Sequence, residues 1–446
     1  MAGEGAPEAV VAFDGMGLDP MLLKAIQKRG YAKPTPVQAE CVPAALEGKD
    51  IVGLAKTGSG KTVAYLLPAL NKILARKSEG KAAPWQALIL VPTRELCQQV
   101  GDEATQFAKC SGGAFGVTIL AHQGQGPAVR AALASASEIV VATPARISQS
   151  LREGLILPKH LQGMETLVLD EADLLLSYGY EEDVQTLAPQ IPRSCQCMLM
   201  SATTSKDVEK LTALVLHNPI KLNLMYRGAT GGDGDAGGDE GEDKGGGVSS
   251  TVDHHTVACK NEDRLLHLLT LLRLSLVPRK ALIFVNSIDS GFKVKLFLEG
   301  FGVRAAILNA ELPLNSRQHI LQEFNRGLFD YLVATDDGKV LPHEGGAVEG
   351  EGKGGKSGKK GKKGAARSKK VVDGEFGVVR GVDFKGVRTV INFDLPGSLS
   401  SYVHRVGRTG RAGNRGVAVT LAPPQMPDAA ALMAEVRGHL GGRTSG

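Results

Sequence analysis

Two short stretches of the sequence carry residue types suited to phosphate chemistry, and the first is AKTGSGKT at residues 55–62. It follows the apolar run DIVGL and precedes the helix-like segment TVAYLLPALNKILARK, which is the context of a phosphate-binding P-loop. Backbone N–H groups would surround phosphate oxygens, while Lys61 would reach the β- and γ-phosphates and the Thr62 hydroxyl would bind magnesium. Ala55 replaces the glycine of the strict pattern, and a glycine-rich turn before a helix is the alternative.

The second stretch is LVLDEAD at residues 167–173, an apolar run that ends in adjacent carboxylates. Asp170 would hold magnesium through water, and Glu171 would orient and deprotonate the attacking water. An acidic surface turn is the alternative for this stretch taken alone. Together with the P-loop, the two carboxylates predict a nucleoside triphosphatase.

A third stretch, YVHRVGRTGRAG at residues 402–413, repeats arginine at every third position. The spacing would place Arg405, Arg408 and Arg411 along one helical face, and a solvated basic helix is one interpretation. Arginine also stabilises the charge of a transferring phosphoryl group. Because this stretch lies far along the chain from the P-loop, it would complete the site only when two domains close.

Short apolar runs alternating with longer amphipathic segments would position these residues. QALILVP and TLVLD in the first half, and KALIFVNS and TVINFD in the second, predict buried strands. Segments such as NSRQHILQEFNRG predict the helices between them. This alternation favours an α/β fold with parallel sheets covered on both faces, in which chemistry lies at the carboxyl ends of the strands.

Two glycine-rich segments of low complexity divide the chain. Residues 228–247 are acidic and predict a flexible linker, whereas residues 353–370 carry nine Lys or Arg and no acid and predict disorder. We therefore expect an N-terminal domain at 1–227, a linker at 228–250, a C-terminal domain at 251–430 with a basic insert at about 339–377, and a short tail at 431–446.

The bulk composition bounds the class of protein. The 446 residues are 43% hydrophobic with a net charge of +5, which allows two or three domains with substantial cores. The six cysteines form no CxxC pair, so we expect reduced, buried thiols. The start of the sequence lacks the pattern of a secretory signal, and no run of 18 apolar residues predicts a membrane span.

The combination of DEAD at 170–173, SAT at 201–203 and HRVGRTGR at 404–411 resembles the DEAD-box RNA helicase family. The resemblance runs from about residue 13 to residue 423, and its motifs occur in the family's order. It implies two RecA-like domains that bind ATP and Mg²⁺ between them and bind RNA across both.

The resemblance also assigns roles in the nucleotide site. GYAKPTPVQ at residues 30–38 is similar to the family's Q motif, so Gln38 would read the adenine edge and Tyr31 would stack on the base. Arg408 and Arg411 would act as arginine fingers beside the catalytic Lys61, Asp170 and Glu171, with Thr62 and Asp170 on magnesium largely through water. The implied ATP-binding residues are Tyr31, Gln38, Ala55, Lys56, Thr57, Gly58, Ser59, Gly60, Lys61, Thr62, Gly381 and Asp383.

Further motifs imply contacts with RNA phosphates and coupling between the two ligands. PTREL at 92–96 resembles motif Ia, and TPARI at 143–147 resembles motif Ib with Ala145 in place of the usual glycine. The implied RNA-binding residues are Pro92, Thr93, Arg94, Thr143, Arg146, Thr335 and Asp336. The implied coupling residues are Asp173, Ser201, Thr203 and His404.

The family's motif V is split in this sequence. ATDD ends at Asp337 and RGVDF begins at Arg380, where the family runs from one to the other without a break. The lysine-rich insert would attract phosphates, serve as a nuclear address or simply be solvated. The split motif resembles the nucleolar subgroup that acts in large ribosomal subunit assembly, whose members generally continue into a longer basic extension, whereas this chain ends at Gly446.

The function that these observations predict is RNA-stimulated ATP hydrolysis that drives local duplex unwinding or RNA–protein remodelling. We expect a monomer in the nucleus and nucleolus, with pre-ribosomal RNA and ribosome assembly proteins as partners and no membrane association. An ATP-gated RNA clamp or assembly scaffold would use the same motifs. A translocating DNA helicase is disfavoured by the Q motif, because a Gln38 reader should reject GTP.

Overall fold

The computed structural model contains two seven-stranded sheets, each flanked by helices. The structure describes residues 12–55, 58–121, 130, 134–203, 205–224, 251–335, 384–410, 414–423, 427–439 and 444–445. Every strand pairing within these ranges is parallel. The predicted α/β class with parallel sheets is therefore confirmed.

The first unit is built on a sheet of strand order β3-β4-β2-β5-β6-β1-β7. Its strands are β1 Ile51–Leu54, β2 Ala87–Leu90, β3 Val117–Leu120, β4 Ile139–Ala142, β5 Thr166–Leu169, β6 Gln196–Ser201 and β7 Ile220–Asn223. Its helices are α1 Pro20–Lys28, α2 Pro36–Leu46, α3 Lys61–Ser78, α4 Arg94–Cys110, α5 Pro144–Arg152, α6 Pro158–Leu161, α7 Ala172–Ser177, α8 Glu181–Leu187 and α9 Lys206–Val215. Short 3₁₀ turns lie at Phe13–Met16 and Ala188–Gln190.

The second unit repeats this architecture with strand order β10-β11-β9-β12-β13-β8-β14. Its strands are β8 Val252–Ala258, β9 Ala281–Val285, β10 Ala305–Leu308, β11 Tyr331–Thr335, β12 Thr389–Asn392, β13 Gly416–Ala422 and β14 Thr444–Ser445. Its helices are α10 Arg264–Arg273, α11 Ile288–Gly300, α12 Leu314–Arg326, α13 Leu399–Val406 and α14 Pro427–His439.

Central strands are mostly apolar because helices cover both faces of each sheet. In β2, Ile89 packs into one core of the first unit while its neighbour Leu88 packs into the other. Successive side chains of a strand point to opposite faces, so a continuous apolar run serves two cores at once. The runs predicted as strands therefore form the middle of each sheet, and the four residues of β2 and of β5 are all buried.

Polar side chains mark several helix starts that follow a strand or loop. The Thr93, Ser287 and Ser398 side chains each accept a hydrogen bond from a backbone N–H in the first turn of α4, α11 and α13. Such caps satisfy donors that the helix itself leaves open. These caps fix where α4, α11 and α13 begin.

The described part of the chain also bears on the thiol and membrane predictions. All six cysteines are free and five are buried, as the sequence predicts. None of the helices in the described ranges combines the length and the apolar character needed to cross a bilayer.

Candidate active site

The described end of the loop after β1, residues 58–60, leads into α3 through a glycine. Gly60 precedes α3 with a φ of +94°, a backbone conformation that glycine adopts without strain. A Cβ at this position would lie 2.6 Å from Nε2 of Gln38, so the loop also needs glycine for space. Helix α3 then begins at Lys61, and its first N–H groups are open to an anion.

Two acidic side chains face the P-loop lysine from the carboxyl end of β5. The Lys61 Nζ atom lies 3.2 Å from Oε1 of Glu171, and both side chains are buried. Tyr65 donates a hydrogen bond of 2.8 Å to Oδ2 of Asp170, and the Glu171 N–H donates one of 2.9 Å to Oδ1. The structure thus brings Lys61, Asp170 and Glu171, which the sequence predicts to share a site, to one place.

Burial and charge compete in this cluster. Burial lowers the pKa of Lys61, but the carboxylates of Glu171, Asp170 and Asp173 outweigh it and leave that pKa above its ordinary value. Burial, reinforced by the neighbouring Glu171, raises the pKa of Asp170. A lysine held cationic among carboxylates is suited to receive a polyanion such as a triphosphate.

Glu171 stands in an unusual backbone conformation at this point. Its φ is +50°, in the left-handed region, and it immediately precedes α7. Strain of this kind persists where surrounding structure fixes it, and it aims the side chain toward the cleft. Its Oε2 atom has no hydrogen-bond partner among the described residues, although the residue is buried. One carboxylate oxygen is therefore available for a water or a ligand.

The residues present fit ATP and magnesium. Besides the open oxygen of Glu171, the buried hydroxyl of Ser59 has no hydrogen-bond partner in the described part of the chain. Both oxygens of Asp170 already accept hydrogen bonds from protein donors, which suits contact with Mg²⁺ through water. Within the described ranges, no three His, Cys, Asp or Glu side chains are grouped so that they could hold a metal ion.

A cleft of about 1050 Å³ lies between the two units, beside the cluster of Lys61, Asp170 and Glu171. The first unit contributes Lys61, Asp170 and Glu171 to its lining, and the second contributes Arg408. Arg408 is only 2% exposed. The structure therefore brings one predicted arginine finger to the same cavity as the P-loop lysine. The second unit also lines the cleft with Lys280, Lys385 and Arg388.

The predicted helical face of three arginines is wrong. Helix α13 ends at Val406 and is followed by Gly407, so Arg408 lies in a turn beyond the helix. Arg405, still inside α13, donates to the Asp394 carbonyl at 2.8 Å and to the Asn286 side chain at 2.7 Å. Glycine at 407 breaks the helix, and the two arginines consequently face different surroundings.

The predicted coupling residues form one polar contact network across the two units. Thr203 donates a hydrogen bond of 3.1 Å to Oδ2 of Asp173, and His404 Nε2 lies 3.7 Å from the same oxygen. Ser201 donates to the Thr203 carbonyl at 2.7 Å. Asp173 thus connects the end of β6 with α13 of the second unit.

The Q-motif residues pack against the protein. Gln38 completes a capping box with Thr35 at the start of α2 and donates to the Gly60 carbonyl at 3.2 Å. Tyr31 donates to Glu103 at 2.8 Å, and its ring stacks on Phe107 at a centroid distance of 6.3 Å. Both Gln38 and Tyr31 therefore sit next to the P-loop side of the cleft, and Tyr31 lines it.

The predicted RNA-binding positions cluster at carboxyl ends of strands. Pro92, Thr93 and Arg94 follow β2, Thr143 and Arg146 follow β4, and Thr335 ends β11. Thr93 also caps α4, accepting a hydrogen bond of 3.2 Å from the Leu96 N–H. Carboxyl ends of parallel strands meet at one edge of a sheet, so the positions in the first unit share an edge.

Several predicted residues lie outside the described residues. These are Lys56, Thr57, Asp336, Gly381, Asp383 and Arg411, together with the acidic linker and the basic insert.

Sequence reasoning missed an ion pair that joins the two units. Arg317 on α12 and Glu95 on α4 approach to 3.0 Å, with side chains 2% and 4% exposed. Nothing in the sequence pairs two residues so far apart. The available signal is local: Glu95 directly follows the predicted phosphate contact Arg94, and Arg317 lies in a segment predicted as a helix.

Two RecA-like sheets with a P-loop in one unit and a buried arginine from the other define a two-domain nucleoside-triphosphatase core. A family model for the DEAD/DEAH box helicase matches residues 35–211, and one for the helicase conserved C-terminal domain matches residues 262–413. The chain belongs to the DEAD-box family of ATP-dependent RNA helicases.

Curated relatives match nearly the whole chain. It is 50% identical to DEAD-box ATP-dependent RNA helicase 16 of Arabidopsis thaliana, covering 94% of this chain and 64% of the relative. It is 46% identical to the rice protein of that name, covering 94% of this chain and 60% of the relative, and 42% identical to ATP-dependent RNA helicase dbp9 of Aspergillus oryzae, covering 93% and 66%. The chain thus spans less than two thirds of the length of these relatives.

Solved structures share the fold at lower identity. Dbp5 of S. cerevisiae, bound to RNA and ADP BeF3, superposes with a TM-score of 0.71 at 23% identity over 97% of this chain and 94% of Dbp5. Mss116p, bound to ssRNA and AMP-PNP, gives a TM-score of 0.73 at 23% identity over 97% of this chain and 78% of the other.

Proposed function

We propose that this chain hydrolyses ATP when RNA is bound and uses the cycle to separate short duplexes or to remodel RNA–protein contacts. The observation that carries the proposal is the shared cleft, in which Lys61 and Glu171 of one unit face Arg408 of the other. Such a site is complete only while the units are together. Family membership identifies ATP and RNA as the ligands to test.

The residues of the cleft have separable tasks in this proposal. Lys61 and the N–H groups at the start of α3 hold the phosphates, and Arg408 stabilises negative charge that develops on them. Bound Mg²⁺ neutralises charge on the phosphate oxygens. Glu171, with one open carboxylate oxygen, takes a proton from the attacking water. The hydrogen bond that the Tyr65 hydroxyl donates holds the carboxylate of Asp170 in place.

RNA would bind through its backbone along the carboxyl ends of strands in both units. Phosphate contacts carry little sequence information, so we infer weak sequence preference. A strand held in a shape that an A-form duplex does not allow would separate from its partner. The contacts of Asp173 with Thr203 and His404 support coupling, because one carboxylate joins the acidic motif to α13.

The cellular setting is part of the proposal. The similarity to dbp9 and to the plant helicases, together with the lysine-rich insert, supports a role in ribosome biogenesis, at the large subunit. Its substrate would then be pre-ribosomal RNA in the nucleolus, where ribosome assembly proteins would be partners of a monomeric chain. A basic segment adds attraction to any RNA.

An ATP-gated RNA clamp is the second candidate. The observation that favours it is the buried Glu95–Arg317 pair, which contributes to a closed arrangement of the two units. A clamp would hold RNA long after ATP binds, whereas an unwinding enzyme would cycle.

The test is steady-state ATP hydrolysis with and without ribosomal RNA, in wild type and in Glu171→Gln. We expect strong RNA stimulation that the substitution removes. The matched control is Glu209→Gln, an exposed carboxylate on α9, which should leave stimulation unchanged. ATP hydrolysis that RNA does not stimulate, or that is unchanged in Glu171→Gln, would contradict the proposal. Displacement of a labelled strand from a short duplex, against the lifetime of the RNA complex, then separates enzyme from clamp.

A further inference from the structure

Three loops of the second unit surround a cavity of about 340 Å³. They are the turn after α10, the turn before β10 and the turn before β11, and together we call them the amino-edge patch. The patch comprises residues 272–279, 301–304 and 328–331. It lies where β9, β10 and β11 begin, and Thr335 marks the other end of β11.

The amino-edge patch is basic. Arg273, Arg279 and Arg304 line the cavity and are exposed, and Asp330 is the acidic residue in its lining. None of the three arginines forms an ion pair with a carboxylate in the described part of the chain. Unpaired exposed guanidinium groups on neighbouring loops give a positive surface that favours carboxylates.

The same patch is also apolar. Leu328 lines the cavity and is 65% exposed, while Leu274 and Leu276, on either side of the lining residue Ser275, are 66% and 62% exposed. Phe301, next to the lining residue Gly302, is 49% exposed. Large apolar side chains that are exposed next to one another and bordered by charged groups are typical of protein interaction sites.

The position of the patch separates it from the predicted RNA positions. Thr335, predicted to contact RNA, ends β11, and the patch lies at Tyr331 where that strand begins. Five residues of strand place the two ends about 13 Å apart. Three of the four exposed apolar side chains named above are leucines, which offer no flat face on which a base can stack.

We propose that the amino-edge patch docks a protein segment that combines acidic side chains with large aliphatic or aromatic ones. Carboxylates of the partner would pair with Arg273, Arg279 and Arg304, and its apolar side chains would cover Leu328 and the flanking leucines. Burying apolar groups beside fully paired guanidinium groups favours specific association. This surface is independent of the residues proposed for ATP hydrolysis.

The experiment uses the purified full chain and three fluorescein-labelled 14-residue probe peptides. One alternates Asp or Glu with Leu and Phe, one replaces Leu and Phe by Ser, and one replaces the acids by Lys. Fluorescence anisotropy gives the affinities, and hydrogen exchange locates the contact. We expect the acidic apolar peptide to bind with a dissociation constant below about 100 μM, to protect residues 272–279, 301–304 and 328–331, and to weaken as salt rises.

Substitutions then assign the contact. Arg304→Glu and Leu328→Ser should each weaken the acidic apolar peptide about tenfold, with unchanged ATP hydrolysis and unchanged melting temperature. Lys210→Glu, an exposed charge reversal on α9 of the first unit, is the matched control and should leave peptide affinity unchanged. The serine peptide should bind more weakly, and the lysine peptide should not bind.

Several outcomes would overturn the proposal. Absence of binding by the acidic apolar peptide, protection elsewhere, or equal affinity in Arg304→Glu and Leu328→Ser would each do so. Labelled poly(U) that loses affinity in the same two variants would assign the patch to RNA instead. Concentration-dependent dimers that dissolve in Leu328→Ser would assign it to a second copy of the chain.

Discussion

At the residue scale, Gly60 shows how one missing side chain shapes the phosphate loop. Two features favour glycine here: the φ of +94°, and the 2.6 Å distance that an added Cβ would have to Nε2 of Gln38. The loop, the Q motif and the start of α3 meet at this residue. A substitution there should therefore disturb nucleotide binding more than its small size suggests.

Gly60→Ala should weaken binding of a fluorescent ATP analogue and lower the free energy of unfolding by more than about 1 kcal/mol, because the added Cβ combines strain with a clash. Gly80→Ala is the matched control, since Gly80 has a φ of +72° but nothing within 4 Å of an added Cβ. It should carry only the strain and bind the analogue normally. Equal nucleotide affinity in both variants would contradict this view of the loop.

His254 predicts a pH dependence of stability in the second unit. Burial lowers the pKa of His254 to about 4, and its Nδ1 lies 2.8 Å from the Tyr402 hydroxyl. The folded pKa lies below the unfolded value of about 6.5, so unfolding takes up a proton between them. The free energy of unfolding should be highest above about pH 6.5, where His254 is neutral in both states. It should fall by up to about 3 kcal/mol as the pH drops toward 4.

Urea denaturation at several pH values measures this effect. Circular dichroism follows both units, whereas fluorescence of Trp85, the single tryptophan, follows the first unit. His254→Asn should reduce the loss of unfolding free energy of the second unit at acid pH. His255→Asn, at the exposed neighbouring position, should leave that pH dependence unchanged. An unchanged acid response in His254→Asn would exclude this histidine as its cause.

At the element scale, Thr93 joins helix stability to the predicted RNA edge. Thr93→Ala removes the cap of α4 and should lower the free energy of unfolding by about 1 kcal/mol. Thr93→Ser keeps a hydroxyl and should retain the stability. Urea denaturation followed by Trp85 fluorescence measures both. If the hydroxyl also contacts phosphate, RNA affinity should follow the same order, and equal stability of the two variants would exclude the cap.

The elements also show what the sequence can predict. Strands β2, β5, β9 and β12 and helices α3 and α12 are predicted from apolar runs and amphipathic segments, because burial on two faces leaves a strong pattern. Strands β3 and β7 alternate buried or half-buried with more exposed positions and gave no such run. The arginine spacing predicts a helix that continues past Val406, but Gly407, a poor helix former, ends α13 there.

The candidate site divides in the same way. Lys61, Asp170 and Glu171 follow from local motifs, since each motif places its residue at the end of one strand or the start of one helix. The contacts between units do not follow, because no local pattern encodes which residues of two domains meet. The two contacts between units, His404 with Asp173 and Arg317 with Glu95, are therefore findings of the structure.

At the scale of the whole molecule, the Glu95–Arg317 pair predicts a strong dependence of closure on both partners. Arg317→Met removes the cation beside the buried Glu95 carboxylate and should disfavour the closed arrangement by about 3–5 kcal/mol. The double variant with Glu95→Leu should recover much of that loss, since an apolar pair replaces an ion pair of similar volume. Energy transfer between dyes on the two units, with ATP and RNA present, measures closure.

The control for this prediction is Arg326→Met. Arg326 lies on the same helix as Arg317 and pairs with Glu323, but its side chain is 70% exposed. Exposed pairs contribute at most about 1 kcal/mol, so closure should not change. Equal energy transfer in Arg317→Met and Arg326→Met would show that the buried pair does not hold the units together.

The burial of Glu95 and Arg317 also separates two responses to ionic strength. Mobile ions screen charges that face solvent but reach a 2% and 4% exposed pair poorly. Contacts with RNA phosphates weaken steeply as salt rises, because binding releases condensed counterions. As the salt concentration rises, RNA should therefore dissociate before the contact between the two units weakens. At moderate salt the protein should be closed but free of RNA, a state that experiments at low salt would not show.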